Sequence, residues 1–287
     1  MMQQTTFSPA GSDLVFNRMG YGAMQLAGPH VFGPPTDRAA ALAVLRATVE
    51  VGINHIDTAD FYGPFVTNEL IREALHPYRK DLHIVTKVGF LRDAQGGWNP
   101  AKSPAQLREA VLANLDRLGL EQMDVVNFRA GGAMGPDDHS IAGGVEALAS
   151  MQREGLLRYI GLSNVTAAQV REAQGIAQIV CVQNQYNLVH RGDDALIDTL
   201  QAQGIAYVPF FPLGGFTPLQ SASLSDVAKR LEATPMQVAL AWLLQRSANI
   251  LVIPGTSSVS HLRENVAASQ VVLDEEAVLV LDAMAAA

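Results

Sequence analysis

The sequence predicts an α/β fold, a single (β/α)8 TIM barrel in which eight parallel strands alternate with helices. From Arg18 onward, short apolar runs alternate with longer amphipathic stretches, which is the pattern of repeated strand–helix units. Eight strand candidates fit within the 287 residues, and no stretch rich in Pro, Gly or Ser separates them into groups. Because eight such units over this length close more naturally into a barrel than into an open sheet, residues 1–287 are expected to form one domain.

The predicted strands are short apolar runs, and they lie at 19–23, 53–57, 82–87, 124–128, 159–163, 179–183, 206–210 and 250–253. The predicted helices include 37–51, 104–118, 144–154, 193–203 and 235–245, with a terminal helix after Asp274. The helix at 104–118 has the clearest limits. Ser103 and Pro104 are typical of a helix start, and Gly119 is typical of a helix end.

Composition limits the classes of protein to consider. A hydrophobic fraction of 48% with 17% charged residues is enough to fill a core and leaves no long polar tract typical of disorder. The formal net charge of -8 argues against a nucleic-acid partner, because such proteins need basic surface. Cys181 has no second cysteine to pair with, and its Ile and Val neighbours predict a buried strand. These features, with no signal-like or membrane-spanning segment, predict a cytoplasmic protein.

Asp57, Tyr62 and Lys87 form the chemically most suggestive set. Asp57 ends the second predicted strand, Tyr62 follows it closely, and Lys87 ends the third. Reactive groups of such barrels lie at the C-terminal ends of the strands. A nearby ammonium lowers the pKa of a phenol, and a carboxylate beside the ammonium keeps it in place and charged, so Tyr62 is predicted to act as an acid. Taken singly, the three residues also fit a helix cap, loop packing and a solvated charge.

Three segments resemble the signatures of the aldo-keto reductases. GINHIDTADFYG at 52–63 resembles their DTAxxYG motif, GLLRYIGLSN at 155–164 the second signature, and IPGTSSVSHLREN at 253–265 the third. The resemblance extends from about Arg18 to Asp282, nearly the whole chain. It implies a (β/α)8 barrel with NADPH lying extended over its mouth, and Asp57, Tyr62 and Lys87 as three members of the catalytic tetrad.

The same resemblance implies a set of cofactor contacts. Ser163, Asn164 and Gln183 match positions that hydrogen-bond the nicotinamide carboxamide, although Ser163 and Asn164 also fit a helix N-cap. Phe210 matches the aromatic residue on which the nicotinamide ring stacks, and Phe211 competes for that role. The remaining implied cofactor contacts are Leu213, Thr256, Ser257, Ser258, His261, Arg263 and Asn265. NADPH is favoured, with NADH left open because the family commonly places more basic residues in the third signature.

Loops predicted to ring the mouth contribute Met24, Phe61, Trp98 and Phe216, which indicates an apolar or aromatic substrate pocket. Ordinary loop packing is the alternative for each of them. No metal site is predicted, since the scattered histidines lack metal-ligand spacing relative to Cys181 or to a pair of carboxylates.

Arg129 ends the fourth strand, where the family normally has the tetrad histidine. Its guanidinium has five donors and a permanent charge, so it suits a developing oxyanion or a substrate anion but cannot relay a proton. An ion pair with a neighbouring carboxylate is the plainer alternative.

The expected activity is NADPH-dependent reduction of an aldehyde or ketone to an alcohol, with a small-molecule carbonyl compound as the partner. A small aromatic or heteroaromatic aldehyde suits the loop residues, and pyridoxal is one candidate because its phenolate lies beside the aldehyde. The alternative is a non-catalytic barrel that binds the cofactor as an accessory or regulatory subunit. A glycosidase would need two convergent carboxylates, and only Asp57 stands out. A monomer or weak homo-oligomer is expected.

Overall fold

The computed structural model describes residues 5–132, 135–215, 219 and 221–286, so Phe216 lies outside the described residues. Within them the strands are β1 Thr6–Phe7, β2 Phe16–Asn17, β3 Tyr21–Gly22, β4 His55–Asp57, β5 His83–Val88, β6 Phe90–Arg92, β7 Trp98–Pro100, β8 Met123–Arg129, β9 Leu157–Ser163, β10 Ile179–Gln183 and β11 Ala206–Tyr207. Seven of them form one parallel sheet in the order β3-β4-β5-β8-β9-β10-β11.

Residues 249–252 close this sheet into a barrel. Tyr207 of β11 forms a parallel bridge with Ile250, and Met19, ahead of β3, forms one with Val252. The Gly20 amide donates to the Val252 carbonyl at 2.8 Å. The eighth predicted strand therefore lies between the last and first strands of the sheet, and the predicted (β/α)8 barrel is confirmed.

Three predicted strands are shorter than expected. The strand predicted at 53–57 is limited to His55–Asp57. The strand predicted at 206–210 ends at Tyr207, two residues before Pro209, which has no N–H to donate to a neighbouring strand. The strand predicted at 19–23 is limited to Tyr21–Gly22, because Ala23 already begins a 3₁₀ turn, Ala23–Leu26.

The described helices are α1 Arg38–Glu50, α2 Val66–Leu75, α3 Pro104–Leu118, α4 Ala142–Arg153, α5 Ala167–Gln174, α6 Asp194–Ala202, α7 Ala222–Arg230, α8 Pro235–Arg246, α9 Val259–Ala267 and α10 Glu275–Asp282. Helix α3 has the predicted limits: the Ser103 side chain accepts from the Gln106 amide, and Gly119 takes a left-handed conformation, φ 68°. The sequence analysis assigned no helix to α7, whose buried face has only Leu224, Val227 and Ala228.

A hairpin of β1 and β2, which the sequence analysis did not predict, closes the N-terminal end of the barrel. Leu14 and Phe16 pack there against interior residues such as Val85 and Val125. Cys181 lies in this same interior cluster, so its predicted burial is confirmed. Because the hairpin covers one end, the open end is the one where the strands terminate.

Two kinds of feature are absent from the residues that the structure describes. None of their helices is long and apolar enough to span a membrane. No group of three or more His, Cys, Asp or Glu side chains among them is arranged to hold a metal ion.

Candidate active site

Asp57 and Lys87 form a buried ion pair at the C-terminal ends of the neighbouring strands β4 and β5. Lys87 Nζ donates to Asp57 Oδ1 at 2.5 Å and to the Thr58 carbonyl at 3.2 Å. Gln183 Nε2, from the opposite side of the barrel, donates to Asp57 Oδ2 at 2.8 Å. Both carboxylate oxygens are thus bound, and the ammonium is fixed in one place.

The pKa of Lys87 reflects two opposing effects. Burial disfavours the charged ammonium, but the negative charge of Asp57, the phenol of Tyr62 and hydrogen bonds with both outweigh it, so the pKa of Lys87 lies above its usual value. Lys87 therefore stays positively charged inside the barrel.

Tyr62 lies directly beside this ion pair. Its side chain is buried, and Lys87 Nζ is 5.1 Å from the centroid of its ring. The Phe61 ring packs edge-on against the Tyr62 ring at 5.3 Å and limits its movement on the other side. The structure thus brings together the three residues that the sequence analysis placed on neighbouring strand ends.

A cavity of about 580 Å³ opens above these three residues. The residues predicted from sequence that line it are Met24, Asp57, Tyr62, Lys87, Phe210, Phe211, Leu213 and Ser257. A second wall comes from the loop after β3, including Gln25, His30, Val31 and Thr36, none of which the sequence analysis singled out as a site residue. The sequence could have indicated these residues, because the loop that follows each barrel strand borders the mouth of the barrel.

Ser163, Asn164 and Gln183 lie deeper than the cavity lining. Ser163 Oγ and Gln183 Oε1 are buried and have no hydrogen-bond partner among the described residues. Buried polar atoms are rarely left unpaired, so two such atoms at the C-terminal ends of strands β9 and β10 suit a polar ligand group. Asn164 instead donates from Nδ2 to the Gly132 carbonyl, in a left-handed conformation with φ 58°.

Phe210, Phe211 and Leu213 line one apolar side of the cavity. The two phenylalanine rings meet edge to face at 5.3 Å. The Phe211 carbonyl accepts from Asn187 Nδ2 at 2.9 Å, which holds the backbone directly after the second ring.

The segment that begins α9 is only partly in the cavity lining. Ser258 caps the helix by accepting from the His261 amide, and Ser257 is exposed and lines the cavity. His261 and Arg263 are exposed at the first turns of α9, while Thr256 and Asn265 are buried. These last four do not line the cavity. The free N–H groups at a helix start, with exposed His261 and Arg263 nearby, suit an anion such as a phosphate.

Phe61 and Trp98 lie outside the cavity lining, although both were predicted for the substrate pocket. Phe61 is buried, with Tyr62 on one side and the Trp98 ring 5.5 Å away. Trp98 lies on the hairpin of β6 and β7, which the sequence analysis treated as a plain loop. Both residues support the wall behind Tyr62.

Arg129 ends β8, where it lies between two aromatic rings. Its guanidinium carbon is 5.6 Å from the Phe90 centroid and 5.5 Å from the Phe210 centroid, and Nη2 donates to the Gly132 carbonyl at 3.3 Å. Burial lowers the pKa of this guanidinium. No carboxylate in the described ranges pairs with it, so the ion-pair alternative finds no support there. Arg129 does not line the cavity itself, but Phe210 does.

A sequence profile described as the aldo/keto reductase family matches residues 18–286. The chain is 64% identical over 268 residues to pyridoxine 4-dehydrogenase of Escherichia coli, covering 93% of this chain and 94% of the relative. It is 41% identical over 271 residues to an uncharacterized oxidoreductase of Schizosaccharomyces pombe, covering 94% and 87%.

Solved structures give the same result at the level of the fold. The thermostable aldo-keto reductase Tm1743, crystallised with the inhibitor epalrestat, is 30% identical with a TM-score of 0.83, and the match covers 98% of this chain and 100% of that one. The holo form of an aldo-keto reductase from Bacillus halodurans is 26% identical with a TM-score of 0.80, covering 99% and 96%.

Proposed function

The chain belongs to the aldo/keto reductase family, an oxidoreductase family acting on carbonyl and alcohol groups, and from this premise we propose that it reduces a small heteroaromatic aldehyde with NADPH. The observation that carries the proposal is the buried Asp57–Lys87 pair beside Tyr62, at the floor of a cavity of about 580 Å³. Pyridoxal is the first candidate substrate, and pyridoxine is the corresponding alcohol.

Tyr62 is the proton donor in this proposal. It would deliver its proton to the carbonyl oxygen while the carbonyl carbon gains a hydride, so the aldehyde becomes an alcohol and Tyr62 becomes a phenolate. Lys87 stabilises that phenolate by its charge, and Asp57 and the Thr58 carbonyl hold Lys87 in place. In the reverse direction the phenolate accepts the alcohol proton.

The buried polar residues fit a nicotinamide cofactor, which supplies the hydride when bound. Ser163 Oγ and Gln183 Oε1 lack partners among the described residues, and a carboxamide offers both a donor and an acceptor for them. Phe210 provides a flat apolar face for a ring. Ser257, His261 and Arg263, at the start of α9, would hold the phosphates of the adenosine half.

The proposed substrate class rests on Arg129 and on the Escherichia coli relative, whose name is pyridoxine 4-dehydrogenase. Pyridoxal has a phenolic oxygen beside its aldehyde, and this oxygen is easily ionised. A partly buried guanidinium without a carboxylate partner in the described ranges is suited to bind such an oxygen, because a charge-assisted hydrogen bond is stronger than a neutral one. Arg129 lies next to Phe210, which lines the cavity, and in this proposal its guanidinium reaches the substrate oxygen from there and orients the aldehyde toward Tyr62.

The test is a panel of aldehydes and ketones assayed with NADPH and with NADH, following cofactor absorbance. The proposal predicts turnover, with NADPH preferred and pyridoxal among the better substrates. Quenching of protein fluorescence by NADPH without turnover of any carbonyl compound would instead support a non-catalytic, cofactor-binding barrel. Turnover confined to compounds without an anionic oxygen would leave the reductase activity standing and reject pyridoxal.

A further inference from the structure

Two consecutive residues in the wall of the cavity have an unusual backbone conformation. His30 has φ 59° and ψ 25°, and Val31 has φ 58°. The left-handed region is unfavourable for residues other than glycine, and most of all for a β-branched residue such as Val31. Such a conformation persists only where surrounding contacts impose it, and strained residues of this kind cluster at active sites, ligand clamps and switch regions.

Arg92 supplies contacts of this kind. Its Nη1 donates to the Val31 carbonyl at 2.9 Å, and its Nη2 donates to the His30 carbonyl at 3.3 Å. The guanidinium carbon lies 4.1 Å from the Trp98 centroid and 5.3 Å from that of Phe32. One side chain on the hairpin of β6 and β7 therefore binds both carbonyls of the strained pair, and its guanidinium packs near two aromatic rings.

The strained pair is connected to the catalytic tyrosine. Val31 is buried in one apolar cluster with Phe61 and Tyr62. The Val31 carbonyl, already bound by Arg92, also accepts from the amide of Gly63, the residue after Tyr62, at 3.2 Å. His30 and Val31 both line the cavity. Arg92 thus acts on the wall next to the proton donor without lining the cavity itself.

We propose that Arg92 is a positioning residue that holds His30 and Val31 as the substrate-side wall of the cavity and thereby sets the affinity for the carbonyl substrate. The proposal rests on the proposed reductase function. It differs from a purely structural role because Val31 packs against Tyr62, at the end of the cavity where the carbonyl reacts. Substrate binding should therefore change more than cofactor binding when Arg92 is lost.

The test compares Arg92→Ala with Arg117→Ala. Arg117 is a matched control, since it also stacks on an aromatic ring, that of Phe65 at 4.7 Å, but its partner is the surface carboxylate of Glu69. We expect Arg92→Ala to raise KM for pyridoxal at least about tenfold, with kcat and the Kd for NADPH changed by less than about threefold. Arg117→Ala should change none of the three.

A glycine substitution distinguishes two causes of a raised KM in Arg92→Ala, the backbone strain at His30 and the loss of side-chain packing. Glycine adopts the left-handed region without penalty, so adding His30→Gly to Arg92→Ala should recover part of the lost substrate affinity. Arg92→Lys keeps the charge but not the planar fork, and it should give an intermediate KM. This second variant decides the question if Arg92→Ala does not fold.

Hydrogen exchange measures how firmly this wall is held without any substrate. The Gly63 amide donates to the Val31 carbonyl, and the Gly33 amide donates to the Gly63 carbonyl at 2.7 Å. In Arg92→Ala these amides should exchange faster than in the unmodified chain, whereas Arg117→Ala should leave them unchanged. Unchanged exchange, an unchanged KM, or equal losses of substrate and cofactor affinity would each overturn the role proposed for Arg92. If the unmodified chain turns over no carbonyl compound, the reductase proposal fails, while the exchange data still decide whether Arg92 holds the wall.

Discussion

Lys87 Nζ and Asp57 Oδ1 are 2.5 Å apart, and the two side chains are only 3% and 4% exposed. Transferring two charges from water into a barrel interior is costly, and their mutual attraction often does no more than offset that cost. A pair of this kind is therefore weak support for stability. The position of the ion pair beside Tyr62, at the strand ends, is better explained by a role in catalysis, because the pair places a fixed positive charge next to a phenol.

Tyr62→Phe should keep NADPH affinity but lower turnover of pyridoxal at least about a hundredfold, roughly 2.7 kcal/mol, since it removes the proton donor and little else. Steady-state rates and a cofactor titration by fluorescence provide the measurement. A folded Tyr62→Phe protein with unchanged turnover would show that another group donates the proton.

Lys87→Met should lower turnover and move the basic limb of the pH profile of kcat/KM to higher pH, because a phenol without a neighbouring positive charge ionises less readily. The profile should be recorded at saturating NADPH for both proteins. If the basic limb stays in place or moves to lower pH, the charge of Lys87 does not control the ionisation that this limb reports.

Asp60 gives a prediction about stability against pH. Its side chain is 2% exposed, and burial raises its pKa to about 8 despite hydrogen bonds from backbone amides that lower it. The folded state thus keeps a proton that an unfolded Asp loses near pH 4, so the folded state binds more protons between about pH 4 and 8. The contribution of Asp60 to the free energy of unfolding is therefore fully present below pH 4 and is lost as the pH rises toward 8.

Asp60→Asn removes this titration while keeping a similar shape. We expect the free energy of unfolding of the variant, measured with denaturant, to rise relative to that of the unmodified chain as the pH increases. The rise from pH 5 to pH 8 should be at least about 1 kcal/mol. Asp116→Asn, at a side chain that is 82% exposed, is the control and should show no such trend. A constant stability difference across this range would mean that Asp60 does not titrate in it.

Arg129→His tests whether substrate charge is recognised. We compare kcat/KM for an ortho-hydroxy aldehyde, above its phenol pKa, with that for its ortho-methoxy analogue. The anionic substrate should lose roughly 1–3 kcal/mol of transition-state binding, and the neutral one should lose little. If the ratio of kcat/KM for the two substrates is the same in the Arg129→His variant as in the unmodified chain, the guanidinium does not recognise the charge of the substrate.

Sequence reasoning predicted the barrel and the Asp57, Tyr62 and Lys87 set because both depend on local patterns: apolar strands, and polar residues where they end. It could not identify the contact between Arg92 and Val31, which joins residues 61 positions apart through a backbone carbonyl. It also placed Phe61 in the pocket, whereas the structure packs it behind Tyr62, because the direction of a loop side chain depends on tertiary contacts. The roles of the site residues stay predictions.

Transfer of label from the cofactor tests the central claim most directly. NADPH carrying two deuterium atoms at nicotinamide C4 is incubated with pyridoxal and the unmodified chain, and the alcohol product is analysed by mass spectrometry. Hydride transfer to the aldehyde carbon predicts pyridoxine that is one mass unit heavier, and Tyr62→Phe should form it far more slowly. Unlabelled pyridoxine, or no alcohol at all while NADPH binds, would contradict carbonyl reduction at this site.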